Sequence, residues 1–179
     1  MEIRALRPTD NRSAFRSNDP DLDRFFHAYA GQNQFRHHVG TTYVAVEGAA
    51  IRGYVTVAAG SLEIEELPAS VRRRLPDYPL PILRIARLAV DSAFRGRGLG
   101  KELLAFALGL SLRMRDAYGC IGAIVDAKPG AVPFYERFGF LPLEVTEGQS
   151  GARPAPVALF LSAREVEVAG LAAGRRPRR

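Results

Sequence analysis

Cysteine is nearly absent. Cys120 is the only one in 179 residues, so no internal disulfide can form and no cysteine cluster can hold a metal. That lone thiol is expected to pack as a small hydrophobe. Long apolar runs are also missing: no stretch reaches the roughly eighteen residues that a membrane-crossing helix needs. The start, Met1-Glu2-Ile3-Arg4-Ala5-Leu6, lacks the apolar centre of a signal peptide. The expectation is a soluble cytoplasmic protein without a membrane partner. There is no internal repeat and no Pro/Gly/Ser-rich linker, so one domain is expected over 1–162, followed by a basic, disordered or loosely attached tail over 163–179.

What is abundant is positive charge. The formal net charge is +6, concentrated in Arg72-Arg73-Arg74 and in Arg175-Arg176-Pro177-Arg178-Arg179. Basic clusters suit a polyanion through phosphate neutralisation and counterion release, but an arginine run is as often a solvated face. A nucleic-acid-binding module without chemistry is disfavoured. The chain has neither the interleaved aromatics of a single-strand platform nor a helix-turn-helix signal.

Along the chain, residues 2–6 read as a strand. Asp19-Pro20 then opens a helix, with Asp19 as cap and Pro20 at the first helical position. Leu22, Phe25, Phe26 and Tyr29 recur at helical spacing and should bury one face. Two strands over 41–47 and 51–59 form a hairpin across Gly48. A short helix is expected over 67–75, carrying the three arginines and ended by Pro76, Pro79 and Pro81. A strand over 82–90 follows. From Leu99 a long amphipathic helix buries Leu103, Ala107, Leu110 and Met114. A buried strand over 121–126 and a short helix over 131–138, stopped by Gly139, come next. A final strand spans 157–161. The loop from Gly148 to Pro156 is expected to be mobile.

The strongest local signal is Arg95-Gly96-Arg97-Gly98-Leu99-Gly100-Lys101, placed between a strand and a helix. Glycines let a backbone turn tightly and bring N–H groups to an anion, and the following helix adds unpaired donors and the positive end of its dipole. The loop is not a Walker loop, because Gly100-Lys101 is followed by Glu102 rather than Ser or Thr. Nor is it a dinucleotide fingerprint, since its glycines fall two apart. What remains is Arg-x-x-Gly-x-Gly, a loop that grips a pyrophosphate.

That loop, preceded by Arg87-Leu88-Ala89-Val90-Asp91, resembles the acetyl-coenzyme A loop of the GNAT N-acetyltransferase superfamily. A second segment, Phe134-Tyr135-Glu136-Arg137-Phe138-Gly139-Phe140, resembles the other hallmark of that family. The resemblance implies an α/β (α+β) fold with a mixed central sheet flanked by helices. Its strands ending at Val90 and Asp126 would splay at the acetyl-CoA cleft. It implies acetyl-CoA as cosubstrate, without a metal. Leu88, Ala89 and Val90 would meet the pantetheine and supply the oxyanion N–H, and Arg95 to Lys101 would hold the pyrophosphate. Coenzyme A, with three phosphoryl groups, accounts for part of the basic balance.

Tyr135 is the implied acid. A phenol titrates near 10 and a thiol near 8.5, so tyrosine keeps a proton to give the departing sulfur. The competing role for Tyr135 is packing with Phe134 and Phe138, from which it is rotated about 100° on a helix. A general base is harder to name. The strand over 84–90 carries arginine where a carboxylate could lie, and Glu63 and Glu65 are expected to face solvent. An α-amine titrates near 8 and needs little help, unlike lysine near 10.4.

Most of the chain from Phe15 to Leu143 is similar to the toxin acetyltransferases of the TacT kind, which acetylate the α-amine of aminoacyl-tRNA. The segments are Leu22-Asp23-Arg24-Phe25, Gly53-Tyr54-Val55-Thr56 and Leu75-Pro76-Asp77-Tyr78-Pro79-Leu80-Pro81. This resemblance implies Arg72, Arg73, Arg74, Arg84 and Arg87 as contacts to tRNA phosphates. It also implies a small DNA-binding antitoxin as partner, and a homodimer. Where that branch has a Cys-Gly step before its first helix, this chain has Ser17-Asn18-Asp19. His37 and His38 are expected at the surface. The alternative is an enzyme of the same build acting on a small amine, a lysine or a protein N-terminus.

Overall fold

The structure, a computed structural model, describes residues 1–143 and 156–172. Most of the loop 148–156 and the arginines of 175–179 lie outside the described residues. Seven strands form one mixed sheet: β1 (Glu2–Ala5), β2 (Thr41–Glu47), β3 (Ala50–Leu62), β4 (Leu80–Val90), β5 (Gly122–Ala127), β6 (Leu141–Pro142) and β7 (Val157–Ser162). Their order is β1-β2-β3-β4-β5-β7-β6. The pairs β1–β2, β2–β3, β5–β7 and β6–β7 are antiparallel. Strands β4 and β5 are neighbours joined through a helix of 20 residues, α4 (Leu99–Tyr118), the long crossover that a parallel pair needs. The α/β (α+β) arrangement is the one expected. Among the described residues no helix is long and apolar enough to cross a membrane.

The chain falls into two compact units, one of Met1–Ala58 with Ile85–Ala107 and one of Ala59–Arg84 with the chain from Leu108. In the first, Leu6, Phe15, Phe26, Val44, Tyr54 and Ala89 form one buried cluster. Its centre is the Tyr54 ring, parallel to Phe26 at 4.4 Å and edge-on to Phe15 at 5.5 Å. The Tyr54 hydroxyl donates to the Leu22 carbonyl at 2.9 Å. Burial pushes its pKa well above the ordinary tyrosine value. Gly53 occupies a close approach in the same strand. A Cβ there would lie 2.8 Å from Leu103 Cδ1 and 3.1 Å from the Ala89 carbonyl, so the start of α4 packs directly on bare backbone.

The first helical segment starts as expected. Asp19 caps α1 (Pro20–Arg24), its carboxylate accepting from the Asp21 and Leu22 N–H groups. The chain then takes a π turn over Phe25–Tyr29 before α2 (Ala30–Phe35). The wider turn changes which residues face inward. Phe26 and Ala30 are buried, whereas Tyr29, expected on the inner face, is 49% exposed. His37 and His38 are exposed.

In the second unit Leu62, Leu67, Leu80, Ile82, Ile124, Leu143 and Phe160 form the core. The helix expected over 67–75 is a single turn, α3 (Ala69–Arg72), with Pro68 before it and no side-chain cap. Cys120 is buried, and burial raises its thiol pKa. Tyr135 lies in α5 (Val132–Glu136), which follows a 3-10 turn over Pro129–Ala131. The segment after Ser162 departs from the expected disorder. It forms α6 (Ala163–Val168), capped by Ser162 and Glu165, with Ala163 and Val166 buried. Arg115 of α4 pairs with Glu167 of α6 at 3.1 Å.

Candidate active site

The glycine-rich loop belongs to the first unit and is anchored before it begins. Asp91, buried at the end of β4, donates its N–H to the Arg52 carbonyl at 2.8 Å and accepts the Ala93 N–H on its carboxylate at 2.9 Å. This caps a 3-10 turn over Ser92–Phe94. The Ser92 N–H reaches the Arg16 carbonyl at 2.8 Å. The Arg95 guanidinium turns back to donate to the Ser17 carbonyl, so its side chain fastens the loop and leaves anion binding to the backbone.

Gly96 and Gly98 both sit in the left-handed region, at φ +77 and +83, which side chains with a Cβ avoid. A Cβ at either would meet no protein atom within 4 Å. Left-handed residues in a loop suit a backbone nest of N–H groups for an anion, and this loop runs directly into the first turn of α4 at Leu99, Gly100 and Lys101. A helix leaves those first donors without intrahelical acceptors. Phe94 carries two guanidinium groups, Arg52 at 4.4 Å and Arg97 at 4.7 Å from its ring centre. An open, glycine-lined, positively framed cradle fits the pyrophosphate of coenzyme A. In β4, Leu88 and Val90 are half-buried and Ala89 is buried.

In the second unit Tyr135 is 5% exposed. Its ring is edge-on to Phe134 at 5.0 Å and to Phe140 at 5.5 Å, while Phe134 also meets Phe138 at 5.3 Å. Tyr135 therefore packs with these aromatics and, with Phe140, is buried. Its hydroxyl makes no hydrogen bond to any described residue. Burial alone pushes its pKa up to about 12, so the phenol is fully protonated at neutral pH.

The five expected tRNA-contacting arginines differ in their surroundings. Arg73 and Arg74 are exposed and Arg72 is half-buried. Arg84 is paired with Asp126 at 2.5 Å. Arg87 lies 5.2 Å over the Phe25 ring, with Nη1 donating to the Ala86 carbonyl at 2.6 Å. Three positions apart on a pleated strand, Arg84 and Arg87 point to opposite faces. Glu63 and Glu65 are exposed, and the carboxylate beside Arg84 is neutralised by it. Among the described residues no group of three or more His, Cys, Asp or Glu forms a metal site.

Sequence reasoning missed Asp91 as the loop's anchor, although Asp followed two residues later by a turn N–H is a readable capping pattern. It also missed Phe94 and the pairing of Asp126 with Arg84. The Ser17-Asn18 step has a clear role: Ser17 is buried, its hydroxyl donating to Asp23 at 2.6 Å, and Asn18 takes φ +63. A small buried residue followed by one that tolerates the left-handed region is what a Cys-Gly step would also supply.

Residues 38–142 match the acetyltransferase (GNAT) domain family. A protein of Mycobacterium tuberculosis H37Rv named tRNA-acetylating toxin is 33% identical over 138 residues, 76% of this chain and 82% of that one. The solved structure of AtaT complexed with acetyl-methionyl-tRNAfMet superposes with a TM-score of 0.81 at 25% identity, covering 94% of this chain and 98% of that one. AtaTR bound with AcCoA gives 0.77 at 25% identity, covering 94% and 97%. With its strand order, its left-handed glycine loop at the head of α4 and these matches, the chain belongs to the GNAT acetyltransferase family.

Proposed function

We propose that this acetyltransferase moves the acetyl group of acetyl-CoA to the α-amine of an aminoacyl-tRNA. The observation that carries the donor half is the open cradle at Gly96 and Gly98. Its backbone N–H groups and those of Leu99, Gly100 and Lys101 hold the pyrophosphate. Leu88, Ala89 and Val90 line the pantetheine and direct a backbone N–H at the developing oxyanion. The acceptor half is supported by similarity over three quarters of the chain to a protein named tRNA-acetylating toxin. It is also supported by the lack, among the described residues, of an unpaired carboxylate on β4 or on β5 beside it. An α-amine is partly neutral at pH 7, so attack needs no strong base.

As the C–N bond forms and the C–S bond breaks, Tyr135 gives its phenolic proton to the sulfur. The proton released by the amine returns to the phenolate through solvent. Arg72, Arg73, Arg74 and Arg84 meet the acceptor's phosphates in this reading. A tRNA substrate puts the reaction in the cytoplasm. A DNA-binding antitoxin and a second copy of the chain complete the expected partners. The test is transfer of labelled acetyl groups from acetyl-CoA, with charged tRNA, uncharged tRNA and a panel of amines and peptides as acceptors. Label on charged tRNA alone is the expected result. Label only on a small amine or peptide overturns the acceptor.

A further inference from the structure

The helical run before β2 changes its hydrogen bonding in the middle. Over Phe25–Tyr29 it is a π turn, with the Ala30 N–H reaching the Phe25 carbonyl. An α-helix would point two successive side chains about 100° apart. Here both Phe25 and Phe26 address one ring. Phe26 stacks on Tyr54 at 4.4 Å and 5°, and Phe25 at 6.3 Å and 28°. Phe26 is fully buried, so it serves the core, whereas Phe25 is half-buried.

Phe25 has a second planar neighbour, the Arg87 guanidinium at 5.2 Å. Arg87 is exposed, and one of its nitrogens is tied to the Ala86 carbonyl at 2.6 Å. A guanidinium over a ring and held by a carbonyl presents a planar, pre-oriented group, and unpaired nucleobases stack on such planes. π turns also concentrate at functional sites.

Position along the strand adds the rest. Arg87 immediately precedes Leu88–Val90, to which the proposed function brings the thioester. In an aminoacyl-tRNA the reacting amine is attached through one aminoacyl ester to the last nucleoside. A base stacked on Arg87 therefore lies within one nucleotide's reach of its own amine. We propose that Arg87, held over Phe25, is the stacking platform for the terminal nucleobase of the acceptor's single-stranded 3′ end. This rests on the aminoacyl-tRNA reading and replaces the phosphate role for this one arginine.

The test compares wild type with Arg87→Lys, Arg87→Ala and Phe25→Leu on three acceptors that share one amino acid. These are the aminoacyl-tRNA, its aminoacylated terminal trinucleotide, and the amino-acid amide. The readout is the ratio of KM for the amide to KM for the trinucleotide, which reports the benefit of the nucleotide. Arg87→Lys, which keeps the charge and loses the plane, is expected to lower that ratio about tenfold, a typical loss for one stacked base. The salt dependence of aminoacyl-tRNA binding is expected to keep its slope. Phe25→Leu, which preserves apolar packing, moves the ratio in the same direction.

If Arg87→Lys behaves as wild type while Arg87→Ala flattens the salt slope, Arg87 is a phosphate contact and the platform is overturned. An equal loss on all three acceptors also overturns it. Failure of the underlying reading shows separately, in a wild-type enzyme that acetylates the amide and neither nucleotide acceptor.

Discussion

The Asp91 carboxylate accepts the Ala93 N–H at 2.9 Å, and through that bond the end of β4 sets where the glycine loop begins. Replacing Asp91 with Ala removes the cap and leaves the Ala93 donor unpaired. The expected result is a loss of about 1 kcal/mol in stability and a rise in KM for acetyl-CoA. Asp91→Asn, which can still cap, is expected to retain most of both. Thermal melts with and without coenzyme A measure the two effects together.

Tyr135→Phe keeps the aromatic packing against Phe134 and Phe140 and deletes only the hydroxyl that carries the proton. We expect kcat to fall at least about 100-fold, as for loss of a general acid, with the melting temperature within a few degrees of wild type. An unchanged kcat would remove Tyr135 from the chemistry and leave it a packing residue.

Burial holds the Tyr135 pKa at about 12, above the roughly 10 of an unfolded chain. The acid form is therefore present throughout the working range, and kcat/KM should rise as the acceptor amine loses its proton near pH 8. No falling limb from Tyr135 is expected below about pH 10. The same shift favours the folded state while the phenol is neutral. That contribution is complete below about pH 10 and is lost as pH rises toward 12. Denaturant titrations of wild type and Tyr135→Phe across that window should converge in the variant's favour.

Two glycines should fail in different ways. At Gly98, φ is +83 and a Cβ would meet open space, so Gly98→Ala costs about 1–2 kcal/mol of backbone strain, and the loop can relax it by giving up the left-handed turn. Coenzyme A affinity is then the quantity that drops. At Gly53 the added Cβ meets Leu103 and the Ala89 carbonyl, so Gly53→Ala is an overpacking change of about 1–3 kcal/mol. A urea melt should detect it without any ligand.

Asn18 adopts φ +63, a conformation that carries a steric cost for any residue with a Cβ. Asn18→Gly is expected to raise stability slightly, by under about 1 kcal/mol, with acetyl transfer unchanged. A lower melting temperature would mean that the Asn18 side chain makes a contribution larger than that strain.

What could be read in the chain follows the range of the interactions. Asp19 with Pro20, the glycines at 96 and 98, and Pro133 in a first turn act within a few residues, and each sits where its local chemistry puts it. The π turn is different, because the partner that both Phe25 and Phe26 meet, Tyr54, lies on another element. Arg84 and Asp126 are 42 positions apart, so no local pattern announces their pairing. Over 67–75 the apolar spacing suggests a longer helix than α3, but Pro68 offers no cap and three consecutive arginines repel. The start of α6 was legible after all, in the Ser162 to Glu165 capping box, where fading apolar periodicity hides a helix that a polar signature marks.

The Arg95 guanidinium ends on the Ser17 carbonyl, and Ser17 in turn holds Asp23 within the helix that leads to Phe25. The proposed donor cradle and the helix leading to the proposed base platform are thus linked through one bend at Ser17-Asn18. On that reading, a substitution that tilts the helix to admit a different acceptor also pulls on the glycine loop. Changes of acceptor preference in this enzyme should therefore bring altered coenzyme affinity with them, unless the bend itself is rebuilt.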